Sequence, residues 1–205
     1  MSKRFFTADF HLGFSTILKL ERRPFKDVQE MNEHLLRQCC AQAKVYMQVI
    51  DGRAYVIDKD MIIHAGDFAS YNADGDSCGL RTSPQMLMAR IPATFINLKG
   101  NHDLSNKVKS VATSMRTGLG KKYIAVSISH YPSYDRRAKG QFEEGDIHLC
   151  GHVHSAWKHC VDTKNKVLNI NIGVDVWNYK LVSEHDLIMY IDWLMAQPPD
   201  KINKV

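Results

Sequence analysis

Five short clusters of acidic, amide and histidine residues occur in this chain, each after a short apolar run and most of them beside a glycine. In chain order they are Asp9-Phe10-His11, Gly66-Asp67, Gly100-Asn101-His102-Asp103, His130 and Gly151-His152-Val153-His154. Loops at the carboxyl ends of strands build the sites of α/β proteins. Repetition of this pattern therefore predicts a layered α/β fold whose polar side chains gather at one edge.

The rest of the sequence supports this fold class, because predicted strands alternate with predicted helices. Strands are expected at Lys3–Ala8, Met61–Ala65, Thr94–Lys99, Tyr123–Ser129, Ile147–Cys150 and Val167–Ile172. Helices are expected from Asp27 to about Ile50, from Ser83 to Arg90, within Ser105–Thr117, and from Ser183 to the proline pair Pro198-Pro199. Helix-start signals are supplied by Asp27 with Glu30, Ser83 with Pro84, and Ser183. Between the second and third predicted strands, Ser70–Thr82 is expected to be a long loop.

Length and composition favour one globular domain covering residues 1–205. No apolar run approaches the roughly 18 residues of a membrane helix. Asp9 and His11 interrupt the first apolar run too early for a signal peptide. The five cysteines are odd in number and form no CxxC pair, which is typical of a reducing compartment. We therefore expect a cytoplasmic protein with no membrane partner.

The clusters offer seven side chains of metal-ligand type and no thiolate. They are the carboxylates of Asp9 and Asp67, the carbonyl oxygen of Asn101, and the imidazoles of His11, His130, His152 and His154. Such a mixed nitrogen and oxygen set favours Mn²⁺, with Fe, Zn²⁺, Ni²⁺ and Co²⁺ as alternatives, over a structural zinc site. Seven ligands suffice for two adjacent divalent ions, and the lone carboxylate of Asp67 is suited to bridge them.

Two adjacent ions predict phosphoester chemistry. They typically lie roughly 3.5–4 Å apart and clamp a phosphoryl group, and a water bridging them would attack phosphorus in line. His102, the spare histidine, would protonate the leaving oxygen as general acid, and the neighbouring Asp103 would fix its orientation. These residues therefore predict a metal-dependent hydrolase.

The ordered clusters resemble the signature of the calcineurin-like metallophosphoesterase family, which runs DxH, GD, GNH(D/E), H and GHxH. All five blocks are present between residues 9 and 154. The flanking Arg23-Pro24-Phe25 and Gly173–Tyr179 also resemble a small single-domain bacterial and phage branch. The resemblance implies a four-layer α/β-β/α sandwich with the site at its rim.

Carried over by motif, the resemblance also implies a ligand set. One metal would be bound by Asp9, His11 and His154, and the other by Asn101, His130 and His152. Asp67 would bridge them, with His102 as general acid backed by Asp103. Two positions depart from the family pattern: Ser70 replaces a second aspartate, and Phe14 replaces a histidine after the DxHxG glycine. Both departures bear on substrate contacts rather than on metal binding.

Three functions from different classes follow. The first is a phosphodiesterase or phosphatase acting on a small phosphoester such as a nucleotide, whose base could stack on an aromatic ring near the clusters. The second is a nuclease of the same chemistry, suggested by basic stretches around Lys107–Lys122 and Arg136–Lys139. The third is a non-catalytic interaction module. The candidate stacking residues, for which packing in the core is the alternative, are Phe10, Phe14, Tyr131 and Trp177. Arg23 is interpreted as a phosphate clamp, as a helix cap or as a partner of Asp27.

Overall fold

The computed structural model describes residues 2–70, 82–198 and 202–205, so the predicted loop 70–82 lies outside the described residues except for its two ends. The strands are β1 (Arg4–Thr7), β2 (Val45–Ile50), β3 (Arg53–Lys59), β4 (Met61–His64), β5 (Thr94–Asn97), β6 (Ser114–Leu119), β7 (Tyr123–Ser129), β8 (Ile147–Cys150), β9 (His159–Asp162), β10 (Val167–Asn171) and β11 (Val182–Ser183). The α-helices are α1 (Thr16–Leu20), α2 (Val28–Gln42), α3 (Pro84–Arg90) and α4 (Glu184–Met195). Short 3₁₀ helices span Arg136–Ala138 and Val174–Val176.

Two sheets form the body of the fold. The first has the order β11-β1-β4-β5, in which β1, β4 and β5 are parallel and β11 is antiparallel. The second has the order β6-β7-β8-β10-β9, with β7, β8 and β10 parallel. Parallel strands bring their carboxyl ends to one edge of a sheet, which is where the polar clusters follow.

The first sheet is buried on both faces, as alternate residues of β1 show. Phe5 packs with apolar residues of α1, α2 and α3 on one face. Phe6 points to the other face, where it packs with Ile128 and Leu149 of the second sheet. Side chains of α4, including Leu187 and Ile191, join this second core. Both faces of a predominantly parallel sheet are therefore covered, as expected for an α/β protein.

The outer face of the second sheet carries buried polar side chains rather than a helix-covered apolar surface. His148 lies there between Ser127 and Ser129, with hydrogen bonds of 2.8 and 3.1 Å. The segment between β7 and β8 covers this face, and its Phe142 ring lies 5.6 Å from the His148 ring. The predicted α/β sandwich is confirmed, with this segment and its 3₁₀ helix, Arg136–Ala138, as the layer outside the second sheet.

The predicted helix from Asp27 to about Ile50 is too long. Its start is correct, because Asp27 accepts from the Glu30 amide at 2.9 Å. The helix ends at Gln42, and β2 and β3 follow as a hairpin. The turn is Asp51-Gly52, with φ of 49° and 74°. An Asp-Gly pair between β-branched and aromatic residues is a strong hairpin signal, and here it overrides the weaker helical periodicity.

The predicted helix within Ser105–Thr117 is also wrong. Residues 101–107 form turns, and the chain then enters β6, which pairs with β7 in an antiparallel hairpin. Cross-strand hydrogen bonds and burial of Leu119 outweigh the local preference of this segment. The caps predicted at Ser83 and Ser183 are confirmed, since they accept from the amides of Met86 and Asp186.

None of the helices in the described part of the chain has the length and apolar character needed to cross a membrane. The extent of the domain, residues 1–205, stays a prediction.

Candidate metal centre

The carboxyl ends of five strands bring the polar clusters together. In the first sheet, the Asp9 amide donates to the Gly66 carbonyl at 3.1 Å and the His11 amide donates to the Asp67 carbonyl at 3.0 Å. In the second sheet, the Gly151 amide donates to the His130 carbonyl at 3.1 Å. These backbone hydrogen bonds continue the pairing of the strands into the loops. The loops therefore stay aligned beyond the point where the sheets end.

Two glycines of the clusters are required by close approach. A Cβ on Gly100 would lie 2.1 Å from Asp67 Oδ1 and 2.3 Å from the Asp67 amide nitrogen. A Cβ on Gly151 would lie 2.6 Å from Asp9 Oδ2. Side chains at either position would displace a predicted metal ligand. This is the physical reason why these clusters contain glycine.

Five of the seven predicted ligands have a left-handed backbone. The φ angles are 59° at Asp9, 50° at His11, 59° at Asp67, 70° at His152 and 46° at His154. This region is unfavourable for residues with a Cβ and is occupied where the surrounding structure imposes it, often at functional sites. Five predicted ligands in this unfavourable region therefore mark these loops as a candidate functional site.

The side chains converge into two overlapping groups. Ligand atoms of Asp9, His11 and His154 all lie within 4.8 Å of one another, and so do those of Asp9, Asp67 and His130. Asp67 Oδ2 is 3.6 Å from His11 Nε2 and 3.3 Å from His130 Nε2, so this carboxylate stands between the groups. That placement suits the bridging role predicted for Asp67.

The remaining predicted ligands adjoin the second group. Asn101 Oδ1 is 2.9 Å from His130 Nε2, and the His152 ring centre is 5.1 Å from that of His130. The structure therefore brings all seven predicted ligands into one cluster, while the assignment of each to a particular ion stays a prediction.

Two buried atoms of the cluster have no hydrogen-bond partner among the described residues. They are Asp9 Oδ1 and His11 Nε2, whose side chains are almost fully buried. Leaving such groups unpaired is costly unless another partner satisfies them. A divalent cation can be bound by both a carboxylate oxygen and an imidazole nitrogen. These residues therefore fit a metal site.

Burial and neighbouring charges shift the pKa values of several residues in the cluster. Burial raises the pKa of Asp9 to about 6. Burial alone would lower the pKa of His154, but a hydrogen bond to Asp175 and the charge of Asp9 outweigh it and raise the pKa to about 9. Burial lowers the pKa of His152 to about 4. Metal binding replaces protons on ligands of this kind, so affinity and proton release are coupled.

His102 lies at the solvent side of the cluster. Its backbone amide donates to Asp67 Oδ1 at 2.9 Å, while its side chain is 52% exposed. Nε2 is 4.0 Å from Asp67 Oδ2, and the ring centre is 5.4 Å from that of His11. The ring is thus adjacent to the ligands without joining either group, a position compatible with proton transfer to a substrate.

Asp103 has contacts that differ from the predicted ones. Its buried carboxylate accepts from the amides of Gly100 at 2.8 Å, Phe68 at 3.0 Å and Asp67 at 3.1 Å. In the described residues, no hydrogen bond joins this carboxylate to the His102 ring. Asp103 therefore ties the loops after β4 and β5 together, and orientation of His102 through its side chain stays without a supporting contact.

Asp175 is a residue of the site that motif reasoning missed. Its Oδ2 is 3.0 Å from His154 Nδ1, and its side chain is 1% exposed. Arg23 donates to both carboxylate oxygens from Nε and Nη2 at 2.8 and 2.9 Å. The predicted roles of Arg23 as a phosphate clamp, helix cap or partner of Asp27 are wrong, because its buried side chain donates to Asp175 and to the carbonyls of the loop after β1. The signal in the sequence was that both charged residues lie in the flanking segments that resemble one branch of the family.

The candidate stacking residues separate into two pairs. Phe10 is buried in the first core, and Trp177 packs against Tyr190 with its indole donating to the Asn171 carbonyl. Phe14 is partly exposed, 6.3 Å from the His102 ring, and Tyr131 is partly exposed, 4.9 Å from the His152 ring. Only Phe14 and Tyr131 of the four therefore border the site.

Comparisons with known proteins agree with this geometry. Residues 42–184 match the model of the calcineurin-like phosphoesterase superfamily domain, a segment that contains five of the seven predicted ligands and His102. The uncharacterized protein MJ1445 of Methanocaldococcus jannaschii is 26% identical over 198 residues, covering 94% of this chain and 93% of that protein. The crystal structure of AQ665, a protein of unknown function from Aquifex aeolicus, has the same fold with a TM-score of 0.64 at 20% identity, covering 93% of this chain and 100% of that one. The family model matches most of this chain, and the candidate ligands lie together at the strand ends. This chain belongs to the calcineurin-like phosphoesterase superfamily.

Proposed function

We propose that this protein hydrolyses a small phosphoester at a two-metal centre, with His102 as the general acid. The observation that carries the proposal is the ligand cluster itself. In the described part of the chain its Asp9 Oδ1 and His11 Nε2 have no hydrogen-bond partner, and the exposed His102 ring lies beside it. When bound, the two divalent ions supply polarisation of the phosphoryl group and a water nucleophile at neutral pH. Mn²⁺ is the ion we expect from the mixed carboxylate, amide and imidazole set.

The proton donor follows from the position of His102. Its ring reaches toward Asp67 Oδ2 from the solvent side, while Asp67 Oδ1 holds its backbone amide. A phosphoester bound over Asp67 would place its leaving oxygen on this open side. Transfer of a proton from the imidazole would then release an alcohol instead of an unstable alkoxide.

The open side of the cluster favours a small substrate. Asn101 and His102 are exposed there, and the aromatic rings of Phe14 and Tyr131 flank the site on two sides. Flat rings beside a phosphoryl site suit a nucleoside. We therefore favour a nucleotide or cyclic nucleotide as the substrate class.

A nuclease is less favoured, because several residues of the predicted basic stretches are neutralised by acidic neighbours. Arg116 pairs with Asp146 at 2.7 Å, and Lys122 pairs with Asp192 at 2.7 Å. Paired cations contribute less to phosphate-backbone binding than free ones. A non-catalytic module is also disfavoured, since such a protein has no need of the complete ligand cluster.

The first test is turnover of bis-p-nitrophenyl phosphate and of p-nitrophenyl phosphate by metal-stripped protein with Mn²⁺ added back. Loss of turnover on metal removal and its recovery with Mn²⁺ are expected. Asn101→Ala should lose activity together with the second ion. Full activity of Asn101→Ala, or of the metal-stripped protein, would contradict the proposal.

The role of His102 is tested by the leaving group. p-Nitrophenolate leaves without a proton, whereas the alkoxide of an alkyl ester does not, so His102→Ala should lose far more activity on an alkyl ester than on a p-nitrophenyl ester. His185→Ala, at an exposed position on α4, is the matched control. An equal loss on both esters would reject His102 as the general acid.

The compartment belongs to the same proposal. Cys39, Cys40, Cys150 and Cys160 are all free thiols, which suits the reducing cytoplasm that we expect for this protein.

A further inference from the structure

The side chain of Arg137 is held beside the metal centre by three neighbours. Asp135 accepts from Arg137 Nε at 2.9 Å and from Nη2 at 2.5 Å. The guanidinium carbon lies 4.0 Å above the centre of the Tyr131 ring. Nη2 is also 3.0 Å from Nε2 of His152, a predicted ligand of the second ion. An arginine that the family motifs do not include therefore contacts a metal ligand directly.

This contact is incompatible with metal binding by His152. A guanidinium only donates hydrogen bonds, so His152 Nε2 must offer its lone pair and the ring proton must be on Nδ1. A metal on Nε2 would take that lone pair. A metal on Nδ1 would move the ring proton to Nε2, where it would face an arginine donor. With either nitrogen as ligand, Arg137 loses this hydrogen bond when His152 binds a metal.

The two predicted metal positions also differ in the hydrogen bonds that their predicted ligands make. In the first, Asp9 Oδ1 and His11 Nε2 are free of hydrogen bonds within the described chain. In the second, His130 Nε2 contacts Asn101 Oδ1 at 2.9 Å, and His152 Nε2 contacts Arg137. Binding at the second position must break existing contacts, and one of these is made by the cationic side chain of Arg137. The first position is therefore expected to fill before the second.

Release from His152 would leave Arg137 close to where it is. Asp135 still holds the guanidinium through two hydrogen bonds, and Tyr131 still supports its plane. The hydrogen bond from Arg137 lowers the pKa of Asp135 to about 2, so this anchor is ionised at neutral pH. The freed N–H would then be available to a phosphoryl oxygen of a substrate bound beside His152. Arginine is well suited to donate to such an oxygen.

We propose that Arg137 competes with the second metal ion for His152, and that the guanidinium released by this ion donates to a phosphoryl oxygen of the substrate. The phosphoryl half rests on the proposed function, whereas the competition for His152 does not.

The competition is tested by calorimetric Mn²⁺ binding to metal-stripped wild-type protein, Arg137→Ala and the neighbouring exposed Arg136→Ala. Two binding steps are expected, and the second should be roughly tenfold tighter in Arg137→Ala, because a charge-assisted hydrogen bond no longer has to be broken. Arg136→Ala should match the wild type. A residue that merely orients His152 would act oppositely, so weaker or unchanged second-ion binding in Arg137→Ala would overturn the proposal. Thermal unfolding checks that each variant is folded.

The second half is tested by binding of inorganic phosphate to the proteins at saturating Mn²⁺. Arg137→Ala should bind phosphate roughly tenfold more weakly than wild type, and Arg136→Ala equally well. Equal affinity in Arg137→Ala and wild type would overturn the proposal. Failure of the proposed function would look different, since the protein would load metals competitively and bind phosphate yet hydrolyse no ester.

Discussion

Asp175 determines which nitrogen of His154 is available to bind a metal ion. Its Oδ2 is 3.0 Å from His154 Nδ1, and an ionised carboxylate can only accept, so the proton of the neutral ring is on Nδ1. The lone pair on Nε2 is then available to a metal ion, and a ring nitrogen of His154 lies within 4.8 Å of ligand atoms of Asp9 and His11. Partners of this kind fix the tautomer and orientation of metal-binding histidines. Arg23 in turn holds Asp175 and donates to the Asp9 carbonyl at 2.7 Å, so one buried ion pair organises two ligand loops.

Replacement of Asp175 by asparagine should weaken metal binding. The amide retains the shape of the carboxylate but loses its charge and its paired hydrogen bonds with Arg23. Mn²⁺ affinity at the first position is expected to fall roughly 10–100-fold, the usual effect of removing such a partner. Calorimetry on the metal-stripped protein measures this. Glu33→Gln, an exposed carboxylate on α2, is the control and should bind normally. Unchanged affinity in Asp175→Asn would contradict the role assigned to Asp175.

Replacement of Arg23 by methionine should destabilise the fold. The change leaves the buried Asp175 carboxylate without its cation, a loss of about 3–5 kcal/mol in the free energy of unfolding. Urea unfolding at neutral pH measures it. Arg37→Met breaks an exposed pair, 3.9 Å from Glu33, and should cost less than about 1 kcal/mol. A similar loss of unfolding free energy in the two variants would show that the buried ion pair stabilises the fold no more than the exposed pair.

Replacement of Gly100 by alanine should disrupt the metal centre. The new Cβ would overlap the amide and carboxylate of Asp67, so Asp67 has to move. A cost of about 1–3 kcal/mol in stability and loss of high-affinity Mn²⁺ binding are expected. Gly140→Ala is the control, since its φ is 79° and nothing lies within 4 Å of its Cβ. That variant should show backbone strain of about 1–2 kcal/mol but normal metal binding. Normal metal binding by Gly100→Ala would contradict the steric argument.

Acid should destabilise the protein through His148. Burial lowers the pKa of His148 from 6.5 to about 4 in the folded state. Between these values the unfolded chain binds a proton that the folded chain does not. The free energy of unfolding therefore falls as pH drops through this window, by about 3 kcal/mol for this group.

Urea unfolding of wild type and His148→Gln at pH 7 and pH 4.5 isolates this contribution. The cost of the substitution should be largest at pH 7 and about 2–3 kcal/mol smaller at pH 4.5, because the variant has no imidazole to protonate. His185→Gln, at an exposed position, should show no such change. A cost independent of pH would rule out His148 as the source.

Residues of the candidate metal centre could be proposed from the sequence because their chemistry is local. Carboxylate, amide and imidazole side chains directly after apolar runs predict a site at strand ends, and parallel β1, β4 and β5 place them there. Elements with two competing local signals were harder to predict. At the end of α2, helical periodicity continued past Gln42, although the Asp51-Gly52 turn marks a hairpin.

The roles of individual side chains depended on contacts that no local signal shows. Asp103 follows His102 in the chain, yet its carboxylate binds the amides of Phe68 and Gly100 instead of the His102 ring. Arg137 lies in one of the basic stretches that suggested a nuclease, yet its guanidinium contacts His152. A side chain's direction is set by packing and by the hydrogen-bond donors that packing brings near it.

The sequence by itself determined the kinds of candidate ligand in this protein and their positions at the ends of strands, because residue type and apolar pattern can be read from neighbouring residues. The tertiary structure decided which atoms meet. Arg23 and Asp175 are 152 positions apart, and their pairing exists only once the two sheets have packed and excluded water from both charges. Buried polar contacts of this kind are properties of the assembled core, since a charge is held in the interior only by partners that folding brings to it.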